Sequence, residues 1–331
     1  MARRSPMKLL LTSVIGVLAL LAPASVTAEA EPAPATAAVP ALAGTMLLGA
    51  TSSNWTWFDN AVGPQQIYRN FDQGFNYATW QDTPAYKLHP NATANDYSTE
   101  VLPQRLLDPT DTINAMMRAF IATTPKNIIM TNLHEPDEAF QRRGFTQAQF
   151  RASILTFAQM VRDQNAIDGG TRMTSVVLMG VTFGAYGTTT ADQWWPTDAR
   201  DGGHVDILEA DLYALPHATQ TACCPAGYTD GVSWRKAPQV IDPLRNFAQA
   251  RGTPWAISEL GYLEDIHNPQ RKATALSEAV AYARTWGAHH VEVFDSAGTR
   301  ASWKLWHSFP VGTQSSTSNA ALMWKSLVAG S

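Results

Sequence analysis

Asn127-Ile-Ile-Met-Thr-Asn-Leu-His-Glu-Pro-Asp137 begins as an apolar, β-rich run and is stopped by a proline. Proline has no N–H to give a sheet, so Pro136 ends the strand and leaves Glu135 at its tip. A second run repeats the design: Trp255-Ala-Ile-Ser-Glu-Leu-Gly261 reaches Glu259, with Gly261 placed to turn the chain just after the carboxylate. Strands that finish in a carboxylate, separated by helical patterns, point to a parallel sheet whose C-terminal edge carries the chemistry.

Working outward, eight strand candidates emerge: Thr45–Thr51, Ile67–Asp72, Ala85–Leu88, Asn127–Leu133, Ser175–Val181, Val205–Leu212, Trp255–Glu259 and His290–Phe294. Between them, apolar residues recur at helical spacing over Asp111–Thr123, Thr146–Gln164, Pro238–Arg251 and Asn268–Trp286, and Ser318–Leu327 reads as a closing helix. Eight strand-helix units predict an α/β fold, a closed (β/α)8 TIM barrel. An open doubly wound sheet would carry a Gly-rich phosphate turn after its first strand, and the sequence has none. No fixed-period repeat occurs, which sets solenoids and propellers aside.

The N-terminus predicts export. Arg3, Arg4 and Lys8 precede an apolar run from Leu9 to Leu21, followed by Pro23 and the small-residue site Val26-Thr27-Ala28. At about thirteen residues the run falls short of the roughly twenty that span a bilayer, so a signal peptide over 1–28 is expected, the alternative being an uncleaved tether. Residues 29–43, rich in Ala and Pro, read as a linker, and 44–331 as one catalytic-size domain. The expected location is extracellular.

Twenty-four basic against twenty-eight acidic residues leave a dispersed net charge of −4, without a basic stripe for nucleic acid or a polybasic segment for an anionic membrane. Cys223 and Cys224 are the only cysteines. In an exported chain they suggest a vicinal disulfide, with two free thiols or an intermolecular link as alternatives. There is no His-Glu-x-x-His, no Gly-x-Ser-x-Gly and no phosphate loop, and His289-His290 would face opposite sides of a strand, so no metal or organic cofactor is expected.

In a barrel, strands four and seven face each other across the mouth. Two carboxyls there reach the roughly 5–5.5 Å that double displacement at a sugar needs, one protonated and one ionised. Glu135 fits the acid/base and Glu259 the nucleophile. An inverting hydrolase would instead hold its pair roughly 6.5–9.5 Å apart. At these residues the chain resembles the clan of retaining (β/α)8 glycoside hydrolases whose acid/base and nucleophile are glutamates ending strands four and seven. Where that clan usually has Asn-Glu-Pro, this chain has His134-Glu135-Pro136, which is similar to the family-26 enzymes acting on β-mannans and related β-glycans. The Gly and Trp that follow the Glu in that family's mannanases are absent here.

The resemblance implies further roles. In Glu209-Ala-Asp211-Leu-Tyr213, Tyr213 would orient Glu259, and Asp211 would hold substrate hydroxyls or neighbouring side chains. Trp303, after strand eight, would floor the subsite beside the cleavage point. His134 would line the sugar site or support it through hydrogen bonds. From position alone, Trp55, Trp57, Trp80, Trp194 and Trp195 are candidate sugar platforms in the βα loops, against a packing role for each. Lys87, His89 and Arg69 are candidates to hold hydroxyls at the rim, against surface exposure or an ion pair with Asp72 or Asp82. Loops Tyr186–Arg200 and Ala214–Lys236 would wall an open cleft. The expectation is a secreted, monomeric, endo-acting β-glycanase, β-mannan first, then β-glucan or xylan. The alternative is an inactive barrel that binds cell-wall polysaccharide or a protein partner.

Overall fold

The computed structural model describes residues 45–72, 74–183, 190–214, 228–229, 235–265, 268–296, 305, 307–308, 313–314 and 318–330. The export signal 1–28, the linker 29–43, Cys223, Cys224 and Trp303 lie outside the described residues, as do positions 186–189 and most of Ala214–Lys236.

Eight parallel strands close into a barrel: Leu47–Ser52, Ile67–Phe71, Asn95–Thr99, Ile129–Asn132, Met173–Met179, Ile207–Ala214, Trp255–Tyr262 and His290–Asp295. Each pairs with its sequence neighbour and the first pairs with the eighth, as in a (β/α)8 TIM barrel. The helices expected from periodicity form at Ile113–Thr123, Gln147–Asp168, Ala237–Gln249, Pro269–Thr285 and Asn319–Ala329. The 22-residue helix shows why. Thr146 and Gln149 cap its start reciprocally, Phe150, Ile154, Phe157 and Val161 bury one face, and Gly169 ends it in the left-handed conformation.

The expected third strand was misplaced. Ala85–Leu88 lies in a helix, Pro84–Leu88, opened by the Thr83 side chain accepting from Tyr86 N and by Pro84 in the first turn. The true third strand, Asn95-Asp-Tyr-Ser-Thr99, is polar in sequence yet fully buried. Hydropathy conceals it because its inward residue Asp96 is matched by charge inside the barrel: Arg69 donates to its carboxylate.

The barrel interior is stratified. At its base Ile67, Ile129, Ile207 and Ala256 form an apolar plug, with Leu47, Ala94 and Met173 against it. Above lies a buried charged layer of Arg69, Asp96, Glu209, His290 and Glu292. Above that, at the strand ends, stand Asp211 and Glu259. The larger apolar core fills the space between the strands and the helices. At Gly49 the first two strands come so close that a Cβ would sit 2.2 Å from the Ile67 carbonyl oxygen, which excludes any other residue there.

One irregularity decides which residue of the seventh strand faces inward. Ala210 pairs with Ile257 but Asp211 with Glu259, and on the other side Val291 pairs with Ile257 but Val293 with Leu260. The extra residue, Ser258, is a β-bulge. Side chains alternate at period two, so an unbulged strand with Ala256 inward would turn Glu259 away from the barrel axis.

Candidate active site

Glu135 stands where the fourth strand passes into the Pro136–Arg143 helix. Two non-glycine residues of this turn, Leu133 (φ 68°) and Glu135 (φ 47°), are left-handed, a conformation costing roughly 1–2 kcal/mol each. Neighbours impose it. Leu133 N donates to Thr99 O at 2.7 Å, Pro136 fixes the first helical residue, and the Asp137 carboxylate accepts from Met179 N at 3.1 Å and from the Thr182 hydroxyl. Burial pushes the Asp137 carboxyl up to about 6, against the pull of those donors. His134 N donates to Glu100 Oε1 at 3.1 Å, and Arg143 holds the other oxygen of Glu100 at 2.5 Å. Backbone strain concentrated at one rim residue marks that residue as a functional candidate.

Asp211 is the hub of the site. It is buried, yet the His134 ring Nε2 meets its Oδ2, Ser258 Oγ donates to its Oδ1 at 2.6 Å, and Glu135 hydrogen-bonds to it. Burial alone would raise its pKa. The facing His134 cation, Arg69 and the Ser258 hydroxyl together outweigh that and hold Asp211 below the usual carboxylate range, while Asp211 and Glu259 raise His134 above its ordinary value, against its own burial.

The two glutamates differ accordingly. Burial, then the charges of Asp211 and Glu259 and the hydrogen bond to Asp211, hold Glu135 protonated far above the ordinary carboxylate range. Glu259 is also raised by burial and by Asp211, but His134 (3.7 Å), Arg69 (3.9 Å) and the Tyr213 hydroxyl oppose this and leave it at about 7. Tyr213 donates to Glu259, and its own pKa is raised by burial and then by that carboxylate, so it stays a neutral donor. One carboxylic acid and one carboxylate poised to ionise near neutrality therefore meet across a shared aspartate.

His134, Glu135, Tyr213 and Glu259 line a cleft of about 1070 Å³ with Thr51, Ser52, Phe71 and Phe294, and with Glu100, Glu138, Arg142 and Arg143 along one wall, while Asp211 lies buried beneath it. The structure thus brings His134, Glu135, Asp211, Tyr213 and Glu259 together. It does not bring the candidate tryptophans: among the described residues none lines this cleft. Trp80 is a core residue, 3% exposed, set edge-on to Tyr97 at 5.1 Å. Trp194 and Trp195 are buried, the former between Phe140 and Phe150. Trp55 and Trp57, in the Trp55–Ala61 helix, pack on the core, against Phe58. Each lies after a strand as its sequence position requires, but the indole turns inward to bury area that stacking on a sugar would leave wet.

Lys87 is likewise corrected. It lies in the Pro84–Leu88 helix, exposed, with Nζ donating to Asp82 O at 2.7 Å. His89 stacks on Tyr68 at 3.9 Å. Arg69, read as a rim residue, is instead buried inside the barrel. Sequence reasoning missed Ser258 and Asp137 as supports of the site. Ser258 carries no signal, because a bulge has no composition of its own here. Asp137 had one: an acid in the first turn of a helix opened by proline.

Among the described residues, two side-chain groups offer metal-ligand atoms within 4.8 Å of one another: His134, Asp211 and Glu259 in the site, and Asp96, Glu209 and His290 in the layer below. In the first, the His134–Asp211 pair, Ser258 and Tyr213 already use the donor atoms.

No family model matches this chain, and no curated protein does. Solved structures do. An endo-beta-1,4-mannanase from Cellulomonas fimi is 13% identical over 85% of this chain and 70% of its own, with a TM-score of 0.52. GH26C from a Muricauda species is 12% identical over 84% of each chain, with a TM-score of 0.51. A GH5-4 broad specificity endoglucanase from Ruminococcus champanellensis, with bound cellotriose, is 14% identical over 83% of this chain and 86% of its own, also at 0.51. At these identities the likeness is one of fold: the chain shares the barrel of these proteins.

Proposed function

We propose that this chain is a retaining glycoside hydrolase that cleaves β-linked polysaccharide, with Glu135 as acid/base and Glu259 as nucleophile. The observation that carries the reading is the division of labour across Asp211: Glu135 held as the acid, Glu259 poised near 7, both facing one cleft. The fold it shares with a mannanase and an endoglucanase agrees with it.

In the first step the Glu259 carboxylate attacks the anomeric carbon while Glu135 passes its proton to the leaving glycosidic oxygen. This gives a glycosyl ester on Glu259 and a free chain end. In the second, Glu135, now a carboxylate, takes a proton from water. The hydroxyl attacks the same carbon and Glu259 leaves, so the configuration is retained. Tyr213 orients the nucleophile. His134 and Asp211 hold the charge balance through both steps and contact substrate hydroxyls. No cofactor enters.

The finer assignment is β-mannan first, for His134 before the acid/base, then β-glucan or xylan. Trp303 serves as the floor of the subsite beside the cleavage point. The protein acts as a secreted monomer after loss of residues 1–28. Among the described residues no helix is long and apolar enough to cross a membrane.

Reducing-sugar release from mannan, glucomannan, xylan and mixed-linkage glucan tests this, with Glu135→Ala and Glu259→Ala beside wild type. Release by wild type, lost at least about 10³-fold in both variants, supports the mechanism. Proton NMR of the first-formed anomer then reads retention directly. No release from any polymer by folded wild type favours a binding barrel, and an inverted product removes the nucleophile role of Glu259.

A further inference from the structure

The charged layer beneath the active site is unusual for a protein interior. Asp96, Glu209, His290 and Glu292 have no solvent exposure, and Arg69 has 1%. Three carboxyls there face one guanidinium, so their full ionisation leaves an excess of two negative charges; burial resists it, pushing Glu292 well above the ordinary range and Asp96 up to about 7. Unneutralised charge of that kind costs several kcal/mol per ion even after relaxation. Arg69 cannot meet the demand alone. Its NH1 donates to Asp96 Oδ2 and lies 3.4 Å from Glu209 Oε2, which leaves Asp96 Oδ1 and Glu209 Oε1 without a partner.

Two further groups point at the same place. Glu292 shares the inward face of the eighth strand with His290, two residues away, and neither of its oxygens has a hydrogen-bond partner. His290 Nε2 is also unpartnered and lies 3.7 Å from Glu209 Oε2. Its other nitrogen, Nδ1, sits 2.9 Å from His289 Nδ1. If that nitrogen carries the proton and donates it to His289, the Nε2 lone pair is left aimed into the layer, the arrangement by which an outer partner fixes a ligating imidazole.

We propose that Asp96, Glu209 and His290 form a buried binding site for one divalent first-row metal ion in the barrel interior, distinct from the active site above it, with Glu292 adding negative charge beside it. Donor atoms of the first three residues lie within 4.8 Å of one another. Tetrahedral ligands bound at about 2.1 Å stand about 3.4 Å from one another, so movements of up to about 0.7 Å per side chain bring the three onto one ion. Two positive charges match the excess of two negative ones. A set of carboxylates plus one imidazole suits Mn2+ or Zn2+; it lacks the sulfur that softer ions prefer and carries a nitrogen that Ca2+ and Mg2+ do not seek. Arg69 remains in place, each of its two carboxylates giving one oxygen to the guanidinium and the other to the ion. Without exposure, the ion is structural and is captured as the barrel closes.

The full-length protein, made without a polyhistidine tag, is unfolded in guanidinium with chelator. It is then refolded with Mn2+, with Zn2+, or with neither, and passed into metal-free buffer. Elemental analysis should find about one equivalent of one of the two ions per chain, with a melting temperature at least about 5 °C above that of metal-free protein. Glu209→Gln and His290→Gln should each retain less than about a tenth of an equivalent, with the far-ultraviolet dichroism of wild type. The Mn2+ electron paramagnetic resonance spectrum of wild type, broadened away from that of the hydrated ion, reports the bound ion even if a variant does not fold. Refolded wild type that retains neither ion and melts at one temperature in all three preparations overturns the proposal and assigns the excess charge to protons. Equal retention by wild type and both variants overturns it too, since the ion then lies elsewhere.

Discussion

Replacing Tyr213 with phenylalanine removes one oxygen from the site and leaves the ring edge-on to Phe294, 5.8 Å away, so the packing survives. The hydrogen bond to Glu259 does not. A hydrogen bond to a charged group is worth about 1.5–3 kcal/mol, and each pKa unit is 1.36 kcal/mol, so the change should raise Glu259 by about 1–2 units. Glu259 stands at about 7 with the bond in place, because the phenol opposes the effects of burial and Asp211. Without it the carboxyl moves to about 8–9, and its ionised fraction at pH 7 drops from about one half to about 1–10%. The nucleophile must be ionised. kcat/KM at pH 7 should therefore fall about 5–50-fold, with the acidic limb displaced upward by the same 1–2 units. Above pH 9 the variant should recover to within a few-fold of wild type, since Glu135 keeps its proton there. The assay is kcat/KM for reducing-sugar release from pH 5 to 10. A loss of equal size at every pH, or a limb that stays near 7, refutes the idea that Tyr213 governs the ionisation of Glu259.

Glu135→Gln tests the acid through stability. A carboxyl kept neutral in the fold but ionised in the unfolded chain makes stability fall as pH rises past its ordinary value of 4.5, by up to about 1.4 kcal/mol per pH unit. The glutamine variant escapes that fall, so its melting temperature should pull ahead of wild type between pH 5 and pH 8. A gap that does not widen with pH contradicts a protonated Glu135. Trp80→Ala should cost about 3–5 kcal/mol of stability by chemical denaturation while KM of the folded protein stays put, and a raised KM without that loss would restore Trp80 as a sugar contact. Thr146→Ala breaks the reciprocal cap of the Gln147–Asp168 helix and should cost about 1 kcal/mol, read in the same denaturation experiment. A value near zero would mean the cap is redundant with packing.

The barrel and its two rim glutamates were legible in the sequence because each had a local signature: an apolar run followed by Pro136 or Gly261. The Asp211–Tyr213 pair was legible only by resemblance. What stayed hidden was of two physical kinds. The third strand was invisible because Asp96 is buried by pairing with Arg69, and a hydropathy pattern registers burial only when burial is apolar. The tryptophans misled for the converse reason, since an indole in a βα loop has the same local sequence whether it turns toward the cleft or under the loop. For Trp80 the answer depended on Tyr97 and Phe120, distant in the chain.

The bulge at Ser258 makes the site vulnerable to a change that no substitution survey samples. An in-frame deletion of that single codon would keep nearly every core residue and every catalytic residue in the translated chain. It would also restore regular pairing along the seventh strand with Glu259 still opposite Asp211, and would remove the hydroxyl that donates to Asp211 Oδ1. Codon loss would therefore leave both rim glutamates facing the cleft and strip Asp211 of one donor, with the chain's composition, and much of its fold, intact.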